Sequence, residues 1–148
     1  VTGLIRTEEV GNTASTVSAY MPVREKLTEL QQSLAARENV VMDGRDIGTC
    51  VLPRAEAKIY LTASVQVRAQ RRFKELREKG VPCRLEDIEK DIADRDYKDM
   101  HREHAPLRQA EDAVLVDSSQ MTIEQVAEAI LGIAGEKGWD VSGGKREA

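Results

Sequence analysis

Val40-Val41-Met42-Asp43-Gly44-Arg45-Asp46-Ile47-Gly48-Thr49 is an apolar run that passes directly into a glycine-spaced turn. The run, taken from Asn39 to Met42, predicts a buried strand, and open α/β sheets bind their ligands beyond the carboxyl ends of such strands. The turn carries a carboxylate, a guanidinium and a second carboxylate from Asp43 to Asp46. Its glycines permit positive φ or close backbone approach, and the planar fork of Arg45 suits a phosphate. A plain turn whose aspartates cap backbone amides explains the same residues equally well. The segment nominates an anion site without naming the ligand.

Two further apolar runs, Lys58 to Thr62 and Ala113 to Asp117, read as strands. All three runs are near-continuous rather than alternating, and helical patterns separate them, which predicts an α/β fold with a parallel sheet covered on both faces. Residues 1–12 fit a connector or the last edge of a β element. From Thr13 to Arg37 the pattern is that of two helices joined near Pro22, the second with Leu27, Leu30 and Leu34 on one face. A long helix is expected from Val65 to Lys79, stopped by Gly80 at the position after its end. Another starts at Leu85, runs through the charged stretch Asp91 to Arg102 and stops by Ala105-Pro106-Leu107. The last covers Ile123 to Ile133, behind a turn closed by Ser118 and Ser119, for which capping is a sufficient explanation. Residues 1–38 thus read as connecting helices, 39–138 as a core, and 139–148 as a tail expected to be disordered.

The 148 residues are 41% hydrophobic and 32% charged but only 3% aromatic, so the core must be aliphatic. A net charge of −4 gives no general attraction to a nucleic acid polymer or an anionic membrane. No apolar run approaches the ~20 residues needed to span a bilayer. Cys50 and Cys83 lie far apart without metal-ligand spacing, which predicts a reduced, cytoplasmic setting. The first residues, Val1 to Arg6, lack a start methionine and a signal-peptide pattern, as expected of a piece of a longer chain.

Outside the Asp43–Thr49 turn, charge gathers at two places. Arg95, Asp99 and Arg102 fall at i, i+4 and i+7 on one helical face. That row is either an exposed face with weak intrahelical pairs or a clamp whose arginines hold phosphates while Asp99 accepts from a sugar hydroxyl. Arg68, Arg71 and Arg72 form either a solvated surface or a mobile basic lid over a polyphosphate. His101 and His104 have helical spacing but no third ligand, so no metal site is expected.

Taken together these stretches resemble bacterial cytidylate kinase. The matching pieces run in order over nearly the whole chain: Ile5 to Asn12, Ser15, Pro22-Val23-Arg24-Glu25, Asp43 to Thr49, Lys58 to Ser64, Arg68-Ala69-x-Arg71-Arg72, Arg95-Asp96-x-x-Asp99-x-x-Arg102-x-x-Ala105-Pro106-Leu107 and Val116-Asp117-Ser118. The resemblance implies a P-loop kinase-like parallel sheet flanked by helices, and transfer of the γ-phosphoryl group of ATP to CMP or dCMP with Mg²⁺. By similarity Ser15, Arg24 and Asp46 read the cytosine and Arg45 and Arg102 hold the CMP phosphate. Arg95 and Asp99 lie near the ribose and the approaching phosphates, Arg68, Arg71 and Arg72 close over ATP from a lid at about 65–105, and residues 1–38 are part of the CMP-binding region. Arg95 and Arg102 are the candidates for the catalytic role.

The family's Gly-x-x-x-x-Gly-Lys-Ser/Thr loop is missing from these residues; Gly143-Gly144-Lys145-Arg146 lacks the spacing and the hydroxyl. The resemblance therefore implies a kinase truncated at its N-terminus, without the central strand and ATP cradle. Such a chain is expected to be inactive, to hold neither ATP nor Mg²⁺ tightly, and to need an oligomer or a complementing N-terminal segment. The competing expectations are a non-catalytic CMP-binding or assembly module, and a kinase for another nucleoside monophosphate.

Overall fold

The computed structural model describes residues 8–18 and 20–140. They fall into two compact units, 1–44 and 45–148.

In the first unit, α1 (Glu8–Val17) is followed by α2 (Met21–Ala35). Helix α1 starts well before the expected Thr13, because Gly11 and Asn12 are absorbed into it rather than breaking the chain. Tyr20 takes an extended conformation as the N-cap of α2 and Pro22 occupies the first turn, where its missing N–H breaks no bond. Leu27, Leu30 and Leu34 recur as read, yet each remains more than 40% exposed.

The strand expected at Asn39–Met42 is not formed; residues 36–43 are irregular and Val41 is fully exposed. An apolar run becomes a strand only when a neighbour accepts its backbone groups, and among the described residues the two strands that exist pair with each other.

The second unit holds a helix-rich α/β arrangement around that small sheet. A π-helical turn (Ile47–Val51) leads to β1 (Ile59–Thr62), α3 (Val65–Glu78), α4 (Leu85–His101), β2 (Val114–Asp117) and α5 (Ile123–Glu136). Strands β1 and β2 are parallel, with Ile59 opposite Val114 and Thr62 opposite Asp117. Lys58 O accepts from Val114 N–H at 2.9 Å and Thr62 O from Ser118 N–H at 2.8 Å, extending the ladder at both ends. The two runs are therefore legible to within a residue.

Parallel strands need a crossover, and here α3 and α4 supply it and pack on each other. Ser64 caps α3 by accepting from Val67 N–H, and Gly80, at φ +70, ends it as the glycine in the sequence predicts. Ala69 has no exposed surface and is the tightest point of α3. Thr122, not the Ser118-Ser119 pair, caps α5, in a reciprocal box with Gln125. Ser119 instead folds its N–H and hydroxyl onto Asp117 Oδ1, at 2.9 and 2.6 Å.

At the other end of the sheet the Lys58 ammonium is buried against both oxygens of Asp112, at 2.8 and 2.7 Å, and the Pro53 carbonyl. The hydrogen bond from Lys58 holds the Asp112 carboxyl below its ordinary range. No described helix is long and apolar enough to cross a membrane. Residues 141–148, most of the expected tail, lie outside the described residues.

On α3, Glu75 lies between Lys79 and Arg72, and hydrogen bonds from both, Lys79 first, lower its carboxyl from 4.5 to about 2. A folded-state value below the unfolded one gives stability that is present above the unfolded value and lost as pH falls towards the folded one. Acidifying from about pH 5 to about pH 2 should therefore lower the melting temperature, and Glu75→Gln should shrink that fall. Thermal melts of both proteins across the range check this. A second expectation follows from Ala69: Ala69→Leu overpacks this fully buried position and should cost about 1–3 kcal/mol in urea unfolding.

Candidate functional site

The turn that carries Arg45 and Asp46 is fixed by its own backbone. Asp46 O accepts from the N–H groups of Thr49, Cys50 and Val51, at 3.3, 2.8 and 3.2 Å, and Leu52 N–H closes on Ile47 O at 2.7 Å. Single π turns of this kind are frequent at functional sites. Gly48 lies inside the turn without a left-handed φ, so it is the π winding rather than glycine freedom that shapes it.

Two acidic and two basic side chains meet beside this turn. Asp99, buried on α4, accepts from Arg45 Nε at 3.1 Å. Arg102, the residue that ends α4, sets its guanidinium between two carboxylates, with Nη2 3.8 Å from Asp46 Oδ1 and Nη1 3.9 Å from Asp99 Oδ1. The carboxylates are only 13% and 12% exposed and Arg102 is 26% exposed, whereas Arg45 is 45% exposed. These separations allow attraction but exceed hydrogen-bond length. Buried Arg102 Nη2 consequently has no hydrogen-bond partner. A buried donor left in that state costs about 1–3 kcal/mol, and an oxyanion would satisfy it.

Arg102 is held from behind. Its Nε donates to Ala105 O at 2.6 Å, and Leu107 N–H returns to Asp99 O at 2.7 Å, folding the turn after α4 against its last residues. Arg95, on the same helix, is exposed and has no ion pair among the described residues. The row of Arg95, Asp99 and Arg102 is thus divided between one solvent-facing cation and two residues drawn to the turn.

The arginines of α3 are engaged differently. Arg68 grips Asp96 of α4 with both terminal nitrogens, Nη1 at 3.0 Å, while its Nε donates to Ala63 O at 2.9 Å. Arg71 donates to Ser118 O at 2.6 Å, and Arg72 pairs with Glu75 at 2.8 Å. Arg68 and Arg71 therefore join the helices to the sheet ends, a role that their spacing did not reveal. In the first unit Arg24 is half-buried near the start of α2, and Ser15 lies in α1, with its side chain outside the described residues. Among the described residues no three His, Cys, Asp or Glu side chains are grouped to hold a metal ion.

A family model described as cytidylate kinase matches residues 1–136. The cytidylate kinase of Ligilactobacillus salivarius (strain UCC118) is 53% identical over 137 residues, covering 93% of this chain and 61% of that protein. Those of Streptococcus sanguinis (strain SK36) and Streptococcus pneumoniae (strain Hungary19A-6) are 57% and 55% identical, over 85% and 88% of this chain and 56% and 58% of theirs. The chain thus spans about three fifths of the length of the curated relatives it matches.

The asymmetry of the cluster has a measurable consequence. Asp99→Ala removes the carboxylate that both arginines face and should cost about 2 kcal/mol in urea unfolding. Arg45→Ala leaves Asp99 beside Arg102 and should cost under about 1 kcal/mol.

Proposed function

Since the chain belongs to the cytidylate kinase family, we propose that these residues carry the acceptor side of a nucleoside monophosphate kinase whose substrate is CMP or dCMP. The observation that supports this reading most is Arg102 Nη2, a buried donor without a hydrogen-bond partner, on an arginine that shares Asp99 with Arg45. Two guanidiniums at one edge of a cluster with two carboxylates suit a phosphate monoester carrying a polar base.

In this reading Arg45 and Arg102 bind the CMP phosphate, and Asp99 steadies Arg45 and accepts from the sugar. Asp46 accepts from the exocyclic amine of cytosine, as carboxylates do elsewhere. Ser15 and Arg24 enter as base-reading residues through the family resemblance alone. Uracil presents an acceptor where cytosine has its amine, so it would leave Asp46 facing an acceptor and lose affinity.

In the whole kinase, an oxygen of the CMP phosphate attacks the γ-phosphorus of ATP. The bond from that phosphorus to the β-phosphate oxygen breaks, leaving ADP and CDP. Arg95 and Arg102 offset the negative charge that builds up between the two substrates. When bound, Mg²⁺ would supply charge compensation on the ATP phosphates. Arg68, Arg71 and Arg72 reach ATP in this scheme only by exchanging their present partners for its phosphates.

Lacking the Gly-x-x-x-x-Gly-Lys-Ser/Thr motif, these 148 residues bind CMP but do not turn over by themselves. Partner chains enter the reading through the sheet: among the described residues β1 and β2 each have one neighbour, which suits an oligomer or a complementing N-terminal segment. The same two-stranded sheet favours the second reading, a non-catalytic CMP-binding or assembly module.

Calorimetric titration tests the proposal. CMP should bind more tightly than UMP by at least about tenfold, and Asp46→Asn should erase most of that difference. Equal binding of CMP and UMP, or an unchanged preference in Asp46→Asn, overturns the base-reading assignment. Turnover with CMP, ATP and Mg²⁺ at the rate of a full-length relative overturns the inactivity.

A further inference from the structure

Ala105 is the non-glycine residue with a left-handed backbone among the described residues, at φ 49. Alanine pays a steric penalty there, and the following Pro106 restricts the residue before it still further. Strain of this sort persists only where the surroundings enforce it, and it gathers at sites where a geometry must be held. Here its product is specific: the strained residue turns its carbonyl onto Arg102 Nε at 2.6 Å. Nε is the inner nitrogen of the guanidinium, so anchoring it fixes the plane in which Nη1 and Nη2 lie. That plane keeps Nη2 at 3.8 Å from Asp46, close enough for attraction but outside hydrogen bonding, and leaves the nitrogen without a hydrogen-bond partner. A guanidinium free to rotate would close this gap and satisfy itself on Asp46.

We propose that Ala105 is a positioning residue: its left-handed backbone holds Arg102 by Nε so that the outer nitrogens stay available to a phosphate oxyanion. The proposal rests on the reading of Arg102 as a phosphate-binding residue. In the sequence Ala105-Pro106-Leu107 marks the end of a helix and a piece of the resemblance, but an alanine does not show where its backbone carbonyl points.

Two substitutions separate the effects of conformation and bulk. Glycine takes the left-handed conformation without penalty, so Ala105→Gly keeps the carbonyl in place and raises the melting temperature. A β-branched residue resists that conformation, so Ala105→Val withdraws the carbonyl. The Arg102 Nε–H resonance, observed by nitrogen-15 NMR in the ligand-free chain, should exchange slowly with solvent and couple to the Ala105 carbonyl carbon. Ala105→Gly should retain that signal and Ala105→Val should lose it. In calorimetry with CMP, Ala105→Val should weaken binding by about tenfold, the scale of one hydrogen bond to a charged group. In an Arg102→Lys background, which has no Nε–H, the same substitution should add little.

An unprotected Nε–H in the unsubstituted chain overturns the proposal, as does an equal loss of CMP binding from Ala105→Val in both backgrounds. The first measurement needs no substitution, so poor folding of Ala105→Val leaves it decisive. If the unsubstituted chain binds no CMP, the reading of the site as a CMP site fails, while the resonance still decides the role of Ala105.

Discussion

The parallel pairing of β1 with β2 is the constraint from which the second unit follows. Two strands running the same way cannot be joined by a hairpin, so the chain must return across the sheet before β2 begins. It does so through α3 and α4, and the return brings Asp96 to Arg68 and Asp99 to Arg45, pairs 28 and 54 residues apart in sequence. Each guanidinium that secures the crossover also satisfies a backbone carbonyl or a buried carboxylate, so the polar contacts that hold the helices leave few donors unmet. Arg102 is the exception, and it stands where α4 gives way to an extended residue and the helix can no longer set side-chain direction.

Arginine thus has two uses in one short region. Arg68 and Arg71 bind acceptors within the fold at hydrogen-bond length, which makes them structural ties. Arg45 bonds Asp99 through Nε, and the outer nitrogens of Arg102 stand 3.8 and 3.9 Å from carboxylates, which keeps part of each guanidinium available. Composition treats these residues alike. What divides them is whether the outer nitrogens, rather than Nε alone, find acceptors at hydrogen-bond length.

Much of the fold was legible because its signals are local. The runs at Lys58–Thr62 and Ala113–Asp117 became strands, Gly80 closed α3, and α4 began at Leu85. The reading failed where an outcome depends on a neighbour. Asn39–Met42 is as apolar as the true strands but has no ladder to join, and residues 8–12, which read as a connector or β edge, lie in α1, where Gly11 is tolerated once its flanks are helical. At the site, the residue types and the turn were visible, and the resemblance grouped them. The pairings Arg45–Asp99 and Arg68–Asp96 were not visible, since nothing in sequence spacing joins residues across a crossover. Ala105 was visible as part of a helix stop and of the resemblance, but not its left-handed backbone, which an alanine does not announce.

Lys58 begins β1, and its ammonium is enclosed by Asp112 and the Pro53 carbonyl, with only 7% of the side chain exposed. Most lysines on a protein surface react freely with amine-directed reagents; this one must first leave its carboxylate and the base of the sheet. Its labelling rate therefore reports how often the start of the ladder opens, and the lysine serves as an intrinsic clock for local unfolding at the end of the sheet away from Ser118.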